Sequence, residues 1–222
     1  MKHNNKSHYP HPLIAKEGWV FIFFSLIITI FVFDTTSFLV SIPFILITIF
    51  IIQFFRDPAR EIPVDPNAIL SPADGKIICI EEAEDPYLKT KAIKVSIFMN
   101  VFNVHSNRSP VDGKILDIEY IKGKFVNADF DKASTDNERN IMLIESTNSV
   151  GVPYKITVIQ IAGLIARRIL CYKKVSDTIS KGERYGFIRF GSRVDLYLPL
   201  NMQVLVTIGQ KVLATRSIIA KY

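Results

Sequence analysis

The chain has 222 residues and a mass of 25.2 kDa, which leaves room for one ordinary domain and an appendage and excludes a multidomain machine. Apolar residues make up 49% of it, residues 19–55 carry a single formal charge, Asp34, and the mean hydropathy is +0.24; a stretch that apolar meets a bilayer rather than water. The net charge of +6, from 27 basic and 21 acidic residues, is compatible with nucleic acid, anionic lipid or a plain solvated surface. The apolar stretch moves lipid ahead, and no nucleic-acid partner is expected.

Residues 1–18 form a polar leader that carries Lys2, Lys6 and Lys16, and Arg56 and Arg60 follow the apolar stretch. Basic flanks on both sides place both ends of the hydrophobic unit on the cytoplasmic side. Within residues 19–55 the cluster Asp34-Thr35-Thr36-Ser37 is a turn signal that divides Trp19–Phe33 from Phe38–Phe55. Fifteen helical residues rise about 22 Å, less than the roughly 30 Å of a hydrocarbon core. A helical hairpin therefore either crosses a thinned bilayer or dips in and returns, with Pro43 bending its second arm. A cleaved signal peptide does not fit, because there is no small-residue cleavage site and a second apolar run follows at once.

Residues 56–222 are long enough to bury a core of their own. Cys79 and Cys171 sit in apolar runs without metal-ligand spacing, which reads as buried reduced thiols in a cytosolic body rather than a zinc site or a secreted disulfide framework. From Ser71 onward, short runs rich in Val, Ile, Phe and Tyr are punctuated by Gly and Pro, the pattern of strands. Strands are expected at 76–82, 92–99, 114–125, 140–146, 154–161, 187–190, 193–198, 204–207 and 211–214, with a short helix over 164–168. The segment SPADGKIICIE at 71–81 returns as SPVDGKILDIE at 109–119, with eight of eleven positions identical. Two copies are too few for a solenoid and point to a pseudo-twofold pair. The expected fold is mainly β: a compact β sandwich or barrel with an internal repeat and short helices, preceded by the hydrophobic helical hairpin.

His3, His8 and His11 lie in the leader, so His105 is the one histidine of the body and the obvious group for proton chemistry near neutral pH. It stands where the apolar run FMNVFNV gives way to Ser106-Asn107-Arg108. The second unusual place is FIRFGSRVDLYLP at 187–199, where Gly191-Ser192 interrupts the start of an alternating strand. Glycine there marks a bulge, a strained peptide or a close backbone approach. Asp74 and Asp112, the aspartates of the repeat, each shape a Pro-x-Asp-Gly turn.

The hydrophobic hairpin, Ser-Pro-Ala-Asp-Gly, Val-His-Ser-Asn-Arg-Ser-Pro, Gln-Ile-Ala-Gly-Leu-Ile-Ala-Arg-Arg and the C-terminal Phe-Gly-Ser-Arg-Val-Asp together resemble the short bacterial form of phosphatidylserine decarboxylase, and the likeness runs over the whole chain. The resemblance implies a proenzyme that cuts itself between Gly191 and Ser192 into chains of residues 1–191 and 192–222, which stay associated. It implies a covalent pyruvoyl cofactor made from Ser192, with no pyridoxal phosphate and no metal. That group would form a Schiff base with phosphatidylserine, release carbon dioxide and leave phosphatidylethanolamine, at the cytoplasmic face of the bacterial inner membrane. A serine hydroxyl needs a base, and by resemblance His105 supplies it, with Asp74 as its orienting partner. Longer members carry a further histidine three positions before His105, where this chain has Phe102. Either His105 then serves in both cycles or water does part of the work. Arg56, Arg60, Arg167 and Arg168 are candidates for the lipid phosphate, and a homo-oligomer is left open. Two rival readings are a lipoyl- or biotinyl-type carrier, for which neither Lys76 nor Lys114 has the required context, and a serine hydrolase built on Asp74, His105 and Ser192, for which Ser192 lacks a Gly-x-Ser-x-Gly elbow.

Overall fold

A computed structural model describes residues 12–123, 136–163, 168–189 and 192–222, which fall into two units, 12–59 and 60–222. The short helix expected over 164–168 lies largely outside the described residues; the strand expected over 114–125 ends at Ile121, with residues 122 and 123 outside any strand and 124–125 outside the described residues.

The first unit is a helical hairpin. Helix α1 spans Trp19–Thr35 and α2 spans Phe38–Phe54. The break comes later than the turn signal implies: Asp34 and Thr35 still wind onto α1, and the Thr35 and Thr36 hydroxyls donate to the carbonyls of Phe31 and Val32, each at 2.7 Å. Such side-chain bonds satisfy carbonyls that a helix end leaves open. Phe21 stacks on Phe55 at 5.5 Å and Phe33 meets Phe38 at 6.4 Å, so the arms are antiparallel. The Thr29 and Thr48 hydroxyls pair across them at 2.9 Å. Helix α2 runs on through Pro43. Both helices are apolar on every side and leave large side chains such as Phe23, Phe31 and Leu39 exposed, the surface of helices that meet hydrocarbon. With the helical turn before it, Lys16–Thr35 is long and apolar enough to cross a membrane.

The second unit is mainly β. Its strands are β1 (Ala68–Leu70), β2 (Gly75–Glu84), β3 (Lys91–Met99), β4 (Ser106–Arg108), β5 (Gly113–Ile121), β6 (Arg139–Thr147), β7 (Pro153–Ala162), β8 (Ile169–Cys171), β9 (Thr178–Ile179), β10 (Arg184–Ile188), β11 (Ser192–Leu198), β12 (Gln203–Val204), β13 (Lys211–Val212) and β14 (Ile218–Lys221). Eight of them form one antiparallel sheet in the order β13-β2-β3-β11-β7-β6-β5-β9, curled into a half-barrel. Two three-stranded sheets, β1-β14-β12 and β4-β10-β8, complete the body.

That order is symmetric about the β11–β7 pair, and the eleven-residue repeat is its visible trace. β2 and β5 each carry a bulge at the same point of the repeat, between Ile77 and Cys79 and between Ile115 and Asp117. The Ser71 hydroxyl donates to the Ala73 carbonyl and the Ser109 hydroxyl to the Val111 carbonyl, both at 2.7 Å. The Leu70 N–H donates to the Pro110 carbonyl at 3.0 Å and the Arg108 N–H to the Pro72 carbonyl at 2.9 Å, so the copies clasp each other across the axis. Gly75 and Gly113 are required at these turns. A Cβ on Gly75 would lie 2.2 Å from the Phe98 carbonyl oxygen and one on Gly113 2.3 Å from that of Glu145.

The two halves are threaded unequally. Strands β4 to β10 form one half without interruption, and this half is inserted between β3 and β11 of the other. The core lies inside the curl, where Ile77, Ile97, Val194 and Leu196 face their counterparts Ile115, Ile144, Ile156 and Val158, all fully buried or nearly so. Each such side chain contributes about 1.5–3 kcal/mol on burial. A smaller cluster of Ala92, Ile141, Ile159, Ile161 and Tyr197 covers the opposite face.

Candidate active site

The chain leaves the first half after Met99 and returns to it at Ser192, and these two residues are cross-strand partners in β3 and β11. Ala162, at the end of β7, flanks Ser192 on the other side. Ser192 is fully buried and its hydroxyl donates to the Met99 thioether sulfur at 3.2 Å. Gly191 lies outside the described residues.

His105 lies just before β4 and is also fully buried. Its Nδ1 is 2.9 Å from the Asn103 carbonyl oxygen, which can only accept, so Nδ1 is a donating nitrogen and Nε2 is the one able to take up a proton when the ring acts as a base. That carbonyl is held by a turn tied at both ends: the Asn100 N–H donates to Asn103 Oδ1 at 2.9 Å and the Asn103 N–H to the Asn100 carbonyl at 3.0 Å. The ring of Phe187 sits 6.4 Å from the imidazole. Phe102, at the position where longer relatives of the resembled family carry a histidine, is exposed.

Asp74 and Asp112, alike in the sequence, are unlike in the fold. Asp74 is buried and Asp112 exposed. Both accept a backbone N–H at equivalent places, Asp74 from Ala214 at 2.8 Å and Asp112 from Lys181 at 2.7 Å. Asp74 alone adds a two-pronged ion pair, with Arg60 Nη1 on its Oδ1 and Arg60 Nη2 on its Oδ2 at 2.6 Å. Among the described residues its carboxylate is thus engaged by Arg60 and Ala214 rather than by His105. The expected orienting contact from Asp74 to His105 is taken instead by the Asn103 carbonyl. The same pair commits Arg60, a candidate for lipid phosphate, to Asp74. Arg56 donates to the Gln53 carbonyl at 2.7 Å, Arg168 is exposed, and Arg167 lies outside the described residues.

Strands β4 and β10 bring Arg108 and Arg184 face to face, both buried. Burial and the charge of Arg184 push the Arg108 guanidinium down to about 10, and Arg184 lies over the rings of Tyr172 and Phe187 at 5.2 and 5.4 Å. Arg184 therefore shares Phe187 with His105, and the two buried guanidinium groups make an environment that favours anionic groups. Asn107 and Gln160, which the sequence motifs contain but to which sequence reasoning assigns no role, pair at 2.8 Å between Met99 and the centre of the sheet. Met99 gives no signal in the sequence.

Comparison with known proteins places the chain among the decarboxylases, which are lyases. More narrowly, the chain belongs to the phosphatidylserine decarboxylase family, whose profile matches residues 47–220. It is 55% identical over 214 residues to the phosphatidylserine decarboxylase proenzyme of Cupriavidus pinatubonensis, covering 96% of this chain and 97% of that protein. The proenzymes of the same name from Ralstonia nicotianae and Burkholderia lata are 55% and 54% identical, again over 96% of this chain and over 97% and 98% of theirs.

Proposed function

We propose that this protein decarboxylates phosphatidylserine to phosphatidylethanolamine after cutting its own chain between Gly191 and Ser192. The observation that carries the reading is the position of Ser192: buried, first in the strand on which the chain re-enters its first half, with family membership established over most of the sequence.

In the self-cleavage, Ser192 Oγ attacks the Gly191 carbonyl carbon and the peptide becomes an ester. The hydroxyl proton passes to His105 Nε2 and from there to the departing nitrogen. Loss of the Ser192 α-proton then breaks the Cβ–Oγ bond, and the oxygen leaves with Gly191 as a carboxylate. The dehydroalanine left at residue 192 tautomerises to an imine, water adds to its Cα, and the Cα–N bond breaks to release the nitrogen as ammonia and leave a pyruvoyl group. The surroundings suit that exchange. A methyl group replaces the hydroxyl beside the Met99 thioether and Ala162, contacts that accept an apolar group at least as readily as a polar one.

When formed, the pyruvoyl carbonyl supplies an electron sink for the pair released as carbon dioxide departs. The chain's own residues do the rest. His105 delivers the proton that replaces the carboxyl group, the Asn103 carbonyl holds its tautomer, and Asp74 with Arg60 and Ala214 fixes the Ser-Pro-Ala-Asp-Gly turn. The two chains stay together because β11 is hydrogen-bonded along its length to β3 on one side and β7 on the other. In domain terms, residues 1–18 are the leader, 19–55 the membrane hairpin and 56–222 the catalytic domain. The hairpin holds the protein at the cytoplasmic face of the membrane that contains the substrate, which raises effective concentration.

Denaturing electrophoresis tests this against the carrier and hydrolase readings, since only self-cleavage gives two fragments. Borohydride added with a serine-headgroup lipid should attach the lipid to the fragment 192–222; attachment to the large fragment, or none, would reject the assignment.

A further inference from the structure

Inside the curl of the sheet runs a line of side-chain amides that the proposed chemistry does not yet use. Asn140 on β6 donates through Nδ2 to Gln160 Oε1 on β7 at 3.0 Å, and Gln160 donates through Nε2 to Asn107 Oδ1 on β4 at 2.8 Å. Asn107 and Gln160 are fully buried and Asn140 nearly so. With its oxygen committed to Gln160, Asn107 turns its Nδ2 toward Met99 Sδ at 3.8 Å. The same sulfur receives the Ser192 hydroxyl at 3.2 Å. The backbone is shaped around this line: a Cβ on Gly186 would fall 2.5 Å from Gln160 Nε2.

A row of amides, each donating the same way, thus ends on a thioether, one of the weakest acceptors a protein has. Burying amides is unfavourable unless each is paired, and side chains of similar volume without polar atoms would pack this core with less risk. What the row achieves is orientation. Methionine has three rotatable side-chain bonds and adapts its shape easily, and a serine hydroxyl has three staggered wells. An amide pressed against the sulfur on one side leaves the thioether one position in which to receive the hydroxyl on the other. A neutral sulfur orients that hydroxyl without removing its proton, which stays for the base.

We propose that Asn107 is a positioning residue for self-cleavage: held by Gln160 and Asn140, it fixes Met99, and Met99 fixes the rotamer from which Ser192 attacks. The inference rests on the self-cleavage reading above.

The test follows cleavage of newly synthesized full-length protein in lipid nanodiscs by gel, for wild type, Asn107→Leu, Met99→Leu, the double variant and Asn107→Asp. Each of the first two single changes slows cleavage about 10²-fold, the scale of a misplaced reacting group. The double variant is no slower than the slower single one, because both changes cut the same line. In Asn107→Asp the carboxyl group still accepts from Gln160 but can donate to the sulfur only when protonated. Its rate relative to wild type therefore recovers as pH falls, while that of Asn107→Leu does not. The neighbouring titratable groups are His105 and Arg108 on its own segment, Arg184 and Tyr185 on the paired strand β10, and Cys171 beyond Asn140; Asn107→Leu keeps all of them and reads any pH dependence that is theirs alone. Wild-type cleavage in Asn107→Leu, multiplying losses in the double variant, or a flat ratio for Asn107→Asp would each overturn the proposal. If Asn107→Leu loses its protease-resistant fold, the pH ratio of Asn107→Asp decides alone. Absence of cleavage in wild type would instead strike the self-cleavage reading.

Discussion

Asp74 and Asp112 occupy equivalent turns, so the fold contains its own control for the Arg60 ion pair. The perturbation is Asp74→Asn, compared with Asp112→Asn, both in a Ser192→Ala background so that every sample is one continuous chain and unfolding is not complicated by a break. At position 112 the change leaves an acceptor for the Lys181 N–H and removes an exposed charge, which costs within about 0.5 kcal/mol. At position 74 it leaves the Arg60 guanidinium, whose side chain is 9% exposed, without its carboxylate. Removing one partner of a buried pair costs about 3–5 kcal/mol, because the remaining charge loses its carboxylate. For a body of this size, a loss of about 3 kcal/mol lowers the melting temperature by roughly 6–12 °C. Thermal unfolding in detergent, read by circular dichroism, measures both. Replacing Arg60 and Asp74 together, as Arg60→Met/Asp74→Leu, should recover some of the loss, since both members of the pair are then apolar. Equal melting shifts for the two aspartate variants, or a double replacement worse than Asp74→Asn, would refute the reasoning.

His105→Ala should leave the precursor folded and uncut, and His105→Gln should do no better, because an amide can occupy the place of the ring but cannot act as the base; gels of purified protein check both. Gly75→Ala and Gly113→Ala should each destabilise by about 2–3 kcal/mol, as a methyl forced against the Phe98 or Glu145 carbonyl must push neighbouring strands away from each other; urea midpoints of the two variants should fall together. Asp65 is held below the ordinary carboxylate value first by its hydrogen bond with Lys221, at 2.7 Å, and then by the Asn67 N–H. A carboxyl lowered on folding contributes stability that is complete above its unfolded value of about 3.8 and is lost as pH falls through the folded value. Urea midpoints should therefore drop on acidification below about pH 4, less steeply in Lys221→Met.

The long strands were legible because their alternation spans enough residues to show a period: β2, β3, β6, β7 and β11 fall within two residues of expectation at each end. The short ones were not. β1, β4, β8, β9 and β14 have two to four residues each, too few for a pattern, and are held in place by their partners. The repeat announced the pseudo-twofold but not the insertion of one half into the other, which depends on pairings between residues far apart in sequence. Ser192 and His105 stood out by their local setting. The pairing of Asp74 with Arg60, and of Asn107 with Gln160, did not, because a hydrogen bond across 14 or 53 positions leaves no local trace. Resemblance directed attention to Asp74 over Asp112, and burial separates them.

Intact mass spectrometry of the purified protein tests the central claim most directly. The account predicts two chains: residues 1–191 ending in a free glycine carboxylate, and residues 192–222 lighter than the corresponding serine peptide by one ammonia. Ser192→Ala should give one chain of full length. A wild-type preparation that decarboxylates phosphatidylserine while its mass is that of all 222 residues would contradict it.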